Sequence, residues 1–161
     1  MKYREAQKIA RRTAREFGLP KDATLGFIRD KLENERGRGI SIVEIPGLSG
    51  TEICGMWLVC ADRDIVLHAP AKSAWHRQQI ILHEFSHMIL NHDDHVPDAG
   101  VTRKILPDID MGHVLRALTR SSYDSEAEFT AEVLADELAS RIINRAATTS
   151  PEPLAFREVF G

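Results

Sequence analysis

The chain has 161 residues, of which 43% are hydrophobic and 28% charged, and carries a formal net charge of −3 at pH 7. This balance fits one globular domain with a core of its own and excludes a low-complexity chain or a disulfide-stapled miniprotein. No apolar run approaches the roughly 20 residues needed to span a bilayer, and the mild negative charge gives no global reason to expect nucleic acid or an anionic membrane as partner.

In chain order, residues 3–17 read as a helix. Tyr3, Ala6, Ala10, Thr13 and Phe17 form its apolar stripe, and Gly18 with Pro20 stops it. Its other face carries Lys2, Arg4, Lys8, Arg11, Arg12 and Arg15, read as solvated rather than as a nucleic-acid interface. The same segment lacks the apolar stretch of a signal peptide, which predicts a cytoplasmic protein. Cys54 and Cys60 fit no CxxC pattern and are expected as buried thiols. A second helix is predicted over 23–35, ended by Gly37 and Gly39. The period then changes, and three strands are predicted at 40–45, 54–60 and 65–68, the last two joined by a turn over 61–64.

Ser73 is the expected N-cap of a helix over 74–90, and residues 91–102 read as a loop. A short helix is predicted over 108–118, and a long one from about 125 to 145. Thr148 to Pro153 reads as a linker before a tail carrying Leu154, Phe156, Val159 and Phe160. The whole predicts an α+β fold with a small three-stranded, mainly antiparallel sheet flanked by helices.

Within the 74–90 helix stands His83-Glu84-Phe85-Ser86-His87. Four-residue spacing puts both imidazoles on one helix face, about one turn apart, where they can share one metal ion. Glu84 is turned about 100° from His83 and can lie beside the metal as a general base without binding it. The flanking residues Ile80, Ile81, Leu82, Met88, Ile89 and Leu90 make this helix apolar nearly all round, hence buried, and buried polar groups need partners.

A catalytic zinc needs a third protein ligand and one open position. Glu126, Glu128 and Glu132 on the long helix are the candidates. Against the stripe of Ala127, Ala131, Leu134, Ala135, Leu138 and Ile142, Glu128 lies about 60° off centre, Glu132 about 100° and Glu126 about 140°. Glu128 is therefore favoured, with Glu132 second. Ser125 and Glu128 also fit a capping box, which would spend Glu128 on the helix start.

His83-Glu84-Phe85-Ser86-His87, followed by Glu128-Phe129-Thr130-Ala131-Glu132-Val133-Leu134-Ala135, resembles the ImmA/IrrE family of metallopeptidases, in which HExxH is paired with a downstream E-x-x-A-[N/D]-x-[F/L]-A. The resemblance covers roughly residues 40–145 and extends over Tyr123 to Asp136 in the manner of the actinobacterial branch. Ser86 stands where members often have Gly, and Glu132 where Asn or Asp is common. The resemblance implies a compact gluzincin fold, one Zn²⁺ per chain on His83, His87 and Glu128, and Glu84 as base. The chain as a whole is read as a single metallopeptidase domain at 1–147 with a tail at 148–161.

The function so implied is hydrolysis of a peptide bond in a specific intracellular protein, a transcriptional repressor in particular. The alternative is a zinc-containing regulator that binds a transcription factor without cutting it. Residues 65–68 immediately precede the motif helix and are expected at the sheet edge beside the cleft, where an extended peptide could add. His92 and His95 are read as belonging to a solvated loop rather than a second metal site, and His76 as too early on its helix to share the metal. His113 and Tyr123 are candidate donors to an oxyanion, though an ordinary structural role is favoured for each, and Trp57 and Trp75 are expected in the core.

Overall fold

Among the residues that the computed structural model describes, 3–20, 22–50, 54–92, 114–118 and 125–149, four helices surround a four-stranded sheet; side chains are described as far as residue 142 and not for 114–118. The α+β class expected from the sequence is the one observed.

Helix α1 (Tyr3–Phe17) buries Ala6, Ala10, Ala14 and Phe17. Ala14, not Thr13, completes the stripe, and Tyr3 is exposed except for a ring contact with Phe129 at 5.4 Å. Three alanines in a row let a neighbouring helix come close. Gly18, with φ +74, ends α1 in the left-handed conformation. Helix α2 (Leu25–Arg36) starts at Thr24, whose hydroxyl accepts from Phe27 N–H at 3.1 Å, and ends at Gly37, where the N–H groups of Gly37 and Arg38 both donate to Glu33 O.

The strands are β1 (Gly39–Glu44), β2 (Gly55–Cys60), β3 (Arg63–His68) and β4 (Val114–Leu118), in the spatial order β1-β3-β2-β4. β2 and β3 form an antiparallel hairpin, β2 and β4 pair antiparallel, and β1 pairs parallel with β3. Trp57, Val59, Val66 and Ile40 belong to the main core with the helices. Met56, Leu58, Cys60 and Leu67 form a second cluster with Leu48. Burial on both faces explains why β2 reads as an unbroken apolar run rather than an alternating one.

Three expectations are corrected here. Residues 65–68 do not lie at an edge: β3 is held between β1 and β2, with every backbone edge engaged, so no peptide can add to it. Residues 114–118 form a strand, not the end of a helix, which makes the sheet four-stranded; Val-Leu-Arg-Ala-Leu is short and apolar enough for either, and pairing with β2 decides it. Cys54 and Trp75 are exposed, while Cys60 and Trp57 are buried as expected.

Helix α3 (Ala74–Ile89) is capped by Ser73, whose hydroxyl accepts from His76 N–H at 3.0 Å. His76 itself turns back to accept from Lys72 N–H and stays at the helix start, away from the motif. Helix α4 (Ser125–Thr149) runs past the boundary drawn at 147, and it packs against both α1 and α3. No helix among the described residues is long and apolar enough to cross a membrane. The short helix expected over 108–113, His95, His113, Tyr123 and the tail from residue 150 lie outside the described residues.

Candidate metal centre

The site is made where α3 crosses the first turn of α4. α3 is apolar on most sides, so the core takes Ile81, Leu82, Phe85 and Met88, and the polar motif residues are carried inward with them. His87 and Glu84 are buried, with His87 only 1% exposed at its side chain, and His83 is partly open. The two imidazoles lie edge to face with centroids 4.9 Å apart, as one-turn spacing requires.

Glu128 meets them from α4. His83 Nε2 is 2.8 Å from its Oε1, and His87 Nε2 is 3.1 Å from its Oε2. The carboxylate thus bridges the two imidazoles, one oxygen to each. One ligand atom from each of His83, His87 and Glu128 can be chosen so that all three lie within 4.8 Å of one another. Two imidazole nitrogens and one carboxylate oxygen converging on a point suit a divalent ion, which would replace the N–H···O contacts between them. The residues present therefore fit a metal.

The second-choice glutamate does something else. Glu132 Oε2 lies 3.6 Å from His83 Nδ1, on the outer side of the ring. It backs a ligand instead of serving as one, a common arrangement around metal-bound histidine. Glu126 is exposed on α4 and outside the cluster.

Charges in the metal-free site follow from these contacts. Burial alone would raise the Glu128 carboxyl, but hydrogen bonds from His83 and His87 outweigh it and hold it down to about 2. Burial pushes both histidines toward the neutral form. For His83 this is overcome by Glu128, Glu84 and Glu132, so its pKa is raised. For His87 burial prevails, helped by neighbouring His83, so its pKa is lowered.

Glu84 is 5% exposed, and its Oε2 has no hydrogen-bond partner among the described residues. Burial pushes its carboxyl up to about 7, His83 pulling it down and Glu128 adding to the rise. A carboxylate that changes protonation near neutrality, beside three ligand-type side chains, is equipped to take and return a proton.

One residue of the site was not singled out from the sequence, and another was read differently. Gly55, the first residue of β2, passes so close to α3 that a Cβ there would sit 2.9 Å from Ile80 Cγ2 and 3.0 Å from Glu84 Oε1. Only glycine fits without displacing the glutamate. His92, read as part of a solvated loop, instead places its Nδ1 2.8 Å from His87 Nδ1. The signal for His92 was available in Asn91, a residue tolerant of the left-handed conformation just past a helix end.

With this geometry in hand, the chain was compared with family models, curated proteins and solved structures, and it matches none of them.

Proposed function

We propose that this chain is a zinc-dependent metallo-endopeptidase of the cytoplasm that cuts a specific protein, a transcriptional repressor in the first instance. The observation that carries the reading is the convergence of His83, His87 and Glu128 beside a buried Glu84 whose outer oxygen is unpaired among the described residues. The resemblance of both motifs to ImmA/IrrE metallopeptidases supports the same reading.

His83, His87 and Glu128 would hold the ion, leaving the remaining position open. A bound Zn²⁺ supplies Lewis acidity, polarising the scissile carbonyl and bringing the pKa of water down to about 7. Glu84 Oε2 takes the proton of the attacking water and returns it to the leaving nitrogen. Glu84 is kept from solvent, 5% exposed, and Gly55 lets β2 approach it closely. With β3 interior, the edges of the sheet among the described residues are β1 and β4, and of these β4 is the one paired with β2, the strand carrying Gly55, so an extended substrate would add there.

Metal analysis tests the site: about one zinc per chain is expected, lost in Glu128→Ala. Zinc retained in that variant would refute the third ligand. Mixing the protein and zinc with candidate transcriptional repressors should give one defined cleavage of one of them by mass spectrometry, absent with Glu84→Gln. Tight association without a cut, unchanged by Glu84→Gln, would overturn the peptidase reading in favour of a regulator that only binds.

A further inference from the structure

His87 is the more deeply buried of the two motif histidines, and both of its ring nitrogens are engaged. Nε2 faces Glu128, and Nδ1 faces Nδ1 of His92 at 2.8 Å. The His87 and His92 rings are 5.1 Å apart and inclined at 58°, so one nitrogen can point at the other in the ring plane of at least one partner. His92 reaches this position because α3 ends at Ile89 and Asn91, with φ +56, turns the chain back toward the helix.

A neutral imidazole has one N–H and one lone pair. A metal held on Nε2 of His87 uses that lone pair, so the proton must sit on Nδ1. In a side chain 1% exposed, water cannot satisfy that N–H, and a protein acceptor must. The atom in place is His92 Nδ1.

We propose that His92 is a positioning residue for the metal centre: its Nδ1 accepts the Nδ1–H of His87 and so fixes the tautomer and ring orientation that aim Nε2 at the site. His92 acts through His87 and is not itself a ligand. This inference rests on the metal reading above. It also distinguishes the two histidines, since His83 is backed by the exposed Glu132 at 3.6 Å and so less tightly than His87.

Two substitutions separate the acceptor from the ring. His92→Phe keeps an aromatic ring against His87 but has no acceptor, and His92→Asn keeps an acceptor near the Nδ1 position without the ring. Zn²⁺ affinity of the full-length chain is measured by competition with a chromophoric chelator, with Co²⁺ absorption reporting the ligand set and a thermal melt reporting the fold. H92F should bind about 10–100-fold more weakly than the wild type, and H92N less than about 10-fold more weakly. Nitrogen NMR of the zinc-loaded wild type should show His87 protonated at Nδ1. Equal affinity of H92F and wild type, equal weakening of H92F and H92N, or a His87 protonated at Nε2 would each overturn the proposal, the last without any variant having to fold. A wild type that binds no zinc would overturn the metal reading itself, an outcome distinct from a wild type that binds zinc with no dependence on His92.

Discussion

Among the described residues two carboxylates are buried, Asp64 and Glu84, and their surroundings differ. Asp64, on β3, is fully buried and faces cations: Arg36 Nε at 2.6 Å and Arg38 Nε at 3.8 Å. The Arg36 guanidinium also lies over the Trp57 ring, 4.9 Å from its centre, and Arg38 donates to the carbonyls of Cys60 and Arg63. This cluster ties the end of α2 to the hairpin. Glu84, on α3, is nearly as buried, and its Oε2, like Asp64 Oδ1, has no hydrogen bond, but among the described residues no arginine or lysine pairs with it. A protein gains nothing in stability from such a group. The difference teaches that burial of charge is not by itself a functional mark. Asp64 has arginine partners that fit a structural role, whereas Glu84 has none among the described residues and sits beside the cluster of His83, His87 and Glu128.

The contrast would fail most visibly in the zinc-loaded protein carrying Glu84→Gln. Zinc content and fold should be unchanged, while kcat/KM on the cognate substrate falls by about 10²–10⁴-fold. Wild-type turnover in this variant would make Glu84 as passive as Asp64. Next in size is Asp64→Asn, which removes the fully buried charge that the partly buried Arg36 faces at 2.6 Å. It should cost about 3–5 kcal/mol of stability in denaturant unfolding, with zinc stoichiometry unaltered in the folded fraction. A loss below about 1 kcal/mol would mean that the ion pair does not hold the hairpin to α2.

The two carboxylates should also separate in pH dependence. The folded pKa of Glu84 is raised from 4.5 to about 7, so between these values the native state binds more protons than the unfolded chain. Metal-free protein should therefore lose stability as pH rises from 4.5 to about 7, by at most about 3 kcal/mol from this group, and Glu84→Gln should remove that slope. Glu128 has the opposite sign. Its depressed pKa contributes stability present above 4.5 and lost as pH falls toward about 2. Urea unfolding at a series of pH values, in the presence of a chelator, reads both. A slope unchanged by Glu84→Gln would show that the glutamate is not destabilised by burial. The smallest effect is expected for Gly55→Ala. Its Cβ would press on Ile80 and Glu84, destabilising by about 1–3 kcal/mol and lowering activity while zinc is kept. Unaltered activity would show that β2 does not position the glutamate.

Much of the site was legible in the chain because helical spacing is a local property. His83, Glu84 and His87 are related by one turn of one helix, and the apolar set of the long helix was enough to rank Glu128 above Glu132 and Glu126 as the inward carboxylate. The rest depended on distant partners. Nothing within 65–68 says whether that strand is paired on one side or two, since the answer lies in β1, some twenty residues earlier, docking parallel against it. The five residues from Val114 have no intrinsic preference strong enough to outweigh pairing with β2. Trp75 and Cys54 were read by residue type, and residue type does not say which way the helix start or the strand entrance faces.

By itself, the sequence determined helices α1 to α4, strands β1 to β3, the face of α3 that carries His83 and His87 and the inward glutamate of α4, because each follows from periodicity, capping or a motif contained in one element. Only the tertiary structure decided that β3 is interior, that β4 is a strand, that Gly55 is pressed against Glu84 and that His92 folds back on His87. Those are contacts between elements, and they depend on which surfaces pack together once backbone groups and apolar faces across the whole chain have found partners.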